Sequence, residues 1–135
     1  MGATLYKTQG IARYSIIDAD YYKLSVDIDP DISKYYRALI PRSIKPNPQK
    51  YTPHVSVVRK EVPPNINFWN KYEGKEIELY YENIVHFGEV YCWLNVFSKP
   101  LEDIRLELGL PVSSQYTLPP EGFIKCFHTT IGNYK

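Results

Sequence analysis

The chain is 135 residues long, and its 16 Lys and Arg against 15 Asp and Glu give a formal net charge of +1. That length sets a single domain, residues 1–135, with a core of its own. The near-neutral balance excludes a protein that tracks long nucleic acid, which needs a basic excess. Hydrophobic content of 44% is that of a globular chain, and no apolar run has the length of a membrane-spanning helix.

Thirteen tyrosines are heavy usage; tyrosine fills strands and offers amphipathic faces to ligands. The two cysteines, Cys92 and Cys126, lie in apolar strand-like runs without a C-x-x-C pair. They read as buried thiols in a reducing compartment. No charged-then-apolar leader opens the chain, and Tyr6 stands where a myristoylation signal beginning at Gly2 wants Ser or Thr. A cytoplasmic location is expected.

In chain order, residues 10–17 read as a strand. Tyr22, Leu24, Val26 and Ile28 then alternate with polar partners as a half-buried strand. Asp29 caps a helix over 30–40 that Pro30 opens, with Ile32, Tyr35, Tyr36, Leu39 and Ile40 at helical spacing. A proline-rich loop leads to the β-branched strand "HVSVVR". "PPNINFWNKYEG" reads as helical turns ended by Gly74, before three strands, "KEIELYYE", "IVHFGEV" and "YCWLNVFS".

Pro100 opens a second helix over 100–109, with Leu101, Ile104 and Leu108 on one face and the clustered carboxylates of "LEDIRLELG" on the solvent side. The chain ends with the strand "FIKCFHTTI". Twice, then, a proline-opened helix and a proline-punctuated loop lead into a strand, beginning near 53 and near 123. This is a duplication of architecture rather than of letters. The pattern predicts an α+β fold with mostly antiparallel sheets and flanking helices.

Two of the three histidines sit in matching tripeptides, His54-Val55-Ser56 and His128-Thr129-Thr130. Side chains alternate faces along a strand, so each tripeptide delivers one imidazole and one hydroxyl to a shared surface. Imidazoles titrate near neutrality and can share acid and base duties. A hydroxyl beside each can donate to a phosphate oxygen. Two such arms suit in-line displacement at a phosphodiester, with a ribose 2′-hydroxyl held next to phosphorus by its own ring. No metal or other cofactor is expected, because the spacing matches neither H-E-x-x-H nor a Cys/His site. His86 lacks the hydroxyl two residues on and reads as a strand or surface histidine.

With "HVSV" at 54–57 and "HTTI" at 128–131, the chain resembles the two-histidine (2H) phosphoesterase superfamily. Within it, "YTPHVSVVRK" and "CFHTTIGN" look most like the phage phosphodiesterases that destroy the cyclic oligonucleotide signals of bacterial CBASS immunity. The resemblance implies a bilobal fold, two sheets around a central cleft lined by both motifs. It implies metal-independent cleavage of 3′–5′ linkages in cyclic di- and trinucleotides, in the host cytoplasm. His54 and His128 would be the acid–base pair, with the roles open between them, and Ser56 and Thr130 would hold phosphate oxygens. Tyr14, as an N-terminal tyrosine, is the first choice for stacking on a base, followed by Trp69 and Tyr51. Lys50, Arg59 and Lys125 flank the motifs and can steer phosphates. His128 stands seven residues before the last one, so a closing segment present in some relatives is expected to be missing or supplied elsewhere.

Two other readings stay open at this point: processing of RNA 2′,3′-cyclic phosphates or 2′–5′ linkages, and a binding module that sequesters a cyclic nucleotide without cleaving it. The sequence leaves base specificity and oligomeric state open.

Overall fold

The computed structural model describes residues 4–113 and 118–135; Gly2 falls outside that range. The strands are β1 (Leu5–Asp18), β2 (Tyr21–Asp27), β3 (His54–Glu61), β4 (Glu76–Phe87), β5 (Tyr91–Phe97) and β6 (Phe127–Asn133). Helix α1 (Pro30–Leu39) joins β2 to β3, and helix α2 (Lys99–Glu107) joins β5 to β6. The fold is α+β. Every strand pair is antiparallel, and the sheet closes on itself in the order β1-β2-β3-β6-β5-β4. Where two sheets flanking a cleft were expected, one continuous barrel is found. Closure pairs each strand with a neighbour on both sides, which reduces the edge available to another chain.

The helices form for local reasons. Asp29 accepts from the Asp31 amide and Pro30 opens α1; Ser98 accepts from Leu101 and caps α2. The Ser98 hydroxyl also donates to the Glu78 carbonyl at 2.7 Å, tying the start of α2 to β4. Gly109, at φ +83, ends the turn after α2 in the left-handed region that glycine adopts without a Cβ clash.

Leu101, Ile104 and Leu108 pack with Val57, Val58, Ile77, Leu79 and Phe127 in the main core, as their spacing predicted. At the far end of β6, Tyr36 and Ile40 from the α1 region pack with Cys92, Leu94 and Ile131. Helix α1 thus covers β6, while α2 packs on β3 and β4. Tyr35 and Leu39, expected on the buried face of α1, are exposed, because Ser33 and Tyr36 take that face.

Three other boundaries differ from expectation. β4 runs as a single strand with an irregularity between Tyr81 and Val85, where two strands were expected. "PPNINFWNKYEG" supplies only a short 3₁₀ turn at Ile66–Phe68 and further turns up to Gly74. The last strand starts at Phe127 rather than near 123. The reason is Glu102: its carboxylate accepts from the amides of Ile124 (2.7 Å) and Lys125 (2.9 Å), which are then not available to a strand ladder. Glu102 is accordingly buried on α2, a correction to its expected place on the solvent side. Both cysteines are thiols; Cys92 is buried and Cys126 only half-buried, just before β6. Among the described residues no helix is long and apolar enough to cross a membrane.

The order of strands divides the barrel into two equivalent halves, β1-β2-α1-β3 and β4-β5-α2-β6. They meet where β3 pairs with β6 and where β1 pairs with β4. The duplication read from the sequence is therefore present in the connectivity.

Candidate functional site

β3 and β6 lie side by side, with Val55 opposite Thr129. Both of these face the interior and are buried. Antiparallel geometry on either side of that pair sets His54 beside Thr130 and Ser56 beside His128, all four on the outward face. Directly opposite side chains start about 5 Å apart and diagonal ones about 7–8 Å apart. The two imidazoles are the diagonal. A phosphorus placed over the square has one imidazole and one hydroxyl on each side.

This register carries more than proximity. A twofold exchange of the halves maps His54 onto His128, Val55 onto Thr129 and Ser56 onto Thr130. Such an exchange maps the Val55–Thr129 pair onto itself. The neighbouring strands follow: Asp27 pairs with His54 and Asn95 with His128, while Ser25 pairs with Ser56 and Trp93 with Thr130.

The environment of the histidines is specific. Nδ1 of His54 lies 2.9 Å from the Thr52 carbonyl, which can only accept, so Nδ1 carries the proton and donates, leaving Nε2 to meet a substrate. His128 keeps an exposed surface, yet its pKa is lowered, first by burial of the ring and then by the positive charges of Lys125, His54 and Arg59. The exposed surface and the burial are compatible because one side of the ring packs near Trp93, 6.4 Å between centroids. A lowered pKa keeps the imidazole neutral, and able to accept a proton, further into the acid range.

Sequence reasoning missed several residues of this face. Trp93 stacks on His86 at 5.9 Å, and the Asn95 amide nitrogen donates to Nε2 of His86 at 3.1 Å. The third histidine thus belongs to the outward row next to His128. Asp27, beside His54, forms an ion pair with Arg13. Ser25 is a buried residue beside Ser56 whose hydroxyl has no partner among the described residues. The alternation of β2 and β5 could have shown these positions, but only once their pairing with β3 and β6 was known.

Of the predicted flanking residues, Arg59 is exposed on β3 and bonds Tyr21, whose phenol it lowers. Lys125 is half-buried, 5.5 Å from the Phe127 ring centroid, and its own pKa is lowered mainly by burial. Lys50 and Tyr51 are exposed on the loop before β3. Tyr51 lines a groove that includes Thr130.

Tyr14 and Trp69 are not on this face. Tyr14 pairs with Leu24, one of the wholly buried core residues, and its ring meets Trp69 edge-on at 4.9 Å. Burial pushes its phenol up to about 12. Both are partly buried and pack against the main core. Among the described residues no three His, Cys, Asp or Glu side chains gather closely enough to hold a metal ion.

No family model, curated protein or solved structure matches this chain. The site is read on its own chemistry.

Proposed function

We propose that the protein is a metal-independent phosphodiesterase of the two-histidine kind, cleaving 3′–5′ bonds of cyclic di- and trinucleotide second messengers and serving as an evasion factor against CBASS immunity. One observation carries the reading: two imidazoles and two hydroxyls, drawn from equivalent halves, stand in a square on adjacent strands. The two lobes implied by the resemblance correspond in this reading to the two halves of the barrel, with the β3–β6 seam as the floor of the site.

In the reaction, the ribose 2′-hydroxyl attacks the adjacent phosphorus. The neutral imidazole of His128 takes the 2′ proton, while protonated His54 gives its Nε2 proton to the departing 5′-oxygen. The P–O5′ bond breaks as the P–O2′ bond forms, leaving a 2′,3′-cyclic phosphate and a free 5′-hydroxyl. Charge on the phosphoryl oxygens is met by the Ser56 and Thr130 hydroxyls. The roles are assigned by the lowered pKa of His128, which makes it the base, and by the Thr52 carbonyl, which holds the His54 ring with Nε2 toward the substrate.

The test is incubation with a panel of 3′,3′-cyclic di- and trinucleotides in EDTA, read by mass spectrometry. Linear products ending in a 2′,3′-cyclic or 3′-phosphate support the reading. Binding without cleavage would make the protein a sponge, and neither binding nor cleavage of the cyclic nucleotides, with opening of 2′,3′-cyclic RNA ends in a parallel incubation, would make it an RNA-processing enzyme.

A further inference from the structure

The two helices occupy equivalent places, and one position on each differs in a way that opens a groove. Counting four residues from the cap reaches Ser33 in α1 and Glu102 in α2. Both are buried, at 2% and 1% exposure, and both face the loop that precedes a motif strand. In the second half the Glu102 carboxylate fills the space and holds the loop by the amides of Ile124 and Lys125. In the first half the short Ser33 cannot reach. Its hydroxyl has no partner among the described residues, and it lines a groove between α1 and the loop at 48–53. By the same correspondence, the stretch equivalent to Ile124–Lys125 is Lys50–Tyr51.

That groove measures about 230 Å³ and runs from Lys34 and Arg37 to Thr130, one of the four motif residues. Arg37 spends one N–H on the Ile131 carbonyl at 2.9 Å, which fixes the guanidinium at the groove. Exposed Tyr51 offers a flat face on the loop side, and Asp31 lines both this groove and the neighbouring tyrosine-lined hollow, so it stands between them. A position filled by an anion in one half is thus bordered in the other by a buried unpartnered hydroxyl and two cations, with the Asp31 carboxylate at the side shared with the neighbouring hollow. Hydroxyl, guanidinium and ammonium groups together suit a phosphate.

We infer that this groove is the subsite for a second phosphate of the substrate, so that the enzyme takes hold of a cyclic oligonucleotide by two of its phosphates at once. The inference rests on the proposed phosphodiesterase reading for the identity of the ligand, but not for the existence of the site. One phosphate lies over the square of motif residues, and the next occupies the place that the Glu102 carboxylate takes in the other half. The motif square is nearly symmetric; the grooves are not. Substrate is therefore held in one direction, with its second nucleotide toward α1.

The test compares binding of the linear dinucleotide pApA with that of AMP to the full chain by calorimetry at low salt. The wild-type protein is expected to prefer pApA by about tenfold or more, the gain of one charge-assisted phosphate contact. Ser33→Glu, which places in α1 the carboxylate of α2, and the exposed reversal Lys34→Glu are each expected to bring the two ligands to equal affinity. Equal affinities in the wild type, or a pApA preference that survives in a folded Lys34→Glu, would overturn the subsite. Turnover of cyclic dinucleotides with an unchanged KM in both variants would remove the subsite and leave the phosphodiesterase reading standing. A pApA preference that depends on Lys34 in a protein with no turnover would do the reverse.

Discussion

At the scale of single residues, His128 carries a charge environment that can be read by titration. Burial and the nearby cations depress its pKa, and Lys125 is the first of those cations. Removing that charge in Lys125→Met raises the pKa back toward the ordinary imidazole value near 6.5. If His128 is the base, the acid limb of the kcat/KM profile moves to higher pH in this variant. Movement of the alkaline limb instead would reverse the two roles. Replacing either His54 or His128 by alanine is expected to lower turnover by about 10²–10⁴, the usual contribution of general acid–base catalysis, with binding of the uncleaved substrate retained.

The same depressed pKa has a consequence for stability. The unfolded chain, with its ordinary imidazole, binds the His128 proton at higher pH than the folded protein does. Stability from this group is therefore present above about pH 6.5 and falls as pH drops from there through the folded value. The pH dependence of the melting temperature in this range should flatten in His128→Gln.

At the scale of the element, β6 places two adjacent threonines on opposite faces. Thr129 is buried with no partner for its hydroxyl among the described residues, while Thr130 faces outward in the groove. An unpaired buried hydroxyl costs about 1–3 kcal/mol, and the equivalent residue of the other half is Val55. Thr129→Val is expected to raise stability by about 1 kcal/mol with activity kept. Thr130→Val should do the opposite: little change in melting temperature, and a loss of turnover. Equal effects from both would contradict the facing of β6. In α2, the buried Ser98 both caps the helix and bonds β4. Ser98→Ala should cost about 1–2 kcal/mol in urea unfolding.

At the scale of the whole molecule, the two halves are held at seams of unequal extent. β1 and β4 stay in register from Leu5–Glu82 to Ile11–Glu76, whereas β3 and β6 register at Val55–Thr129. Beside the shorter seam, Arg105 of α2 reaches across to the Val57 carbonyl (2.7 Å) and to both oxygens of Glu61 on β3 (2.9 and 3.0 Å). A two-pronged, part-buried pair of this kind fixes position as much as it adds energy. Native-state hydrogen exchange is expected to show β3–β6 amides exchanging ahead of those in β1–β4, with the difference widening in Arg105→Met. Uniform protection around the barrel would show that the seams open together.

What the sequence determined by itself was local. Proline and cap residues marked both helices, two-residue alternation separated His54 and Ser56 from Val55, and the repeated helix–loop–strand order announced two halves. These follow from backbone geometry and short-range sterics, which a few neighbouring residues settle. Tertiary structure decided the rest: that the sheet closes into one barrel, that Glu102 turns inward to hold the loop before β6, and that Tyr14 and Trp69 pack against the core. It also brought Asp27, Trp93, Asn95 and His86 to the outward rows on either side of the motif strands. Strand pairing and burial join residues far apart along the chain, and a one-residue shift of register would send each of those side chains to the other face.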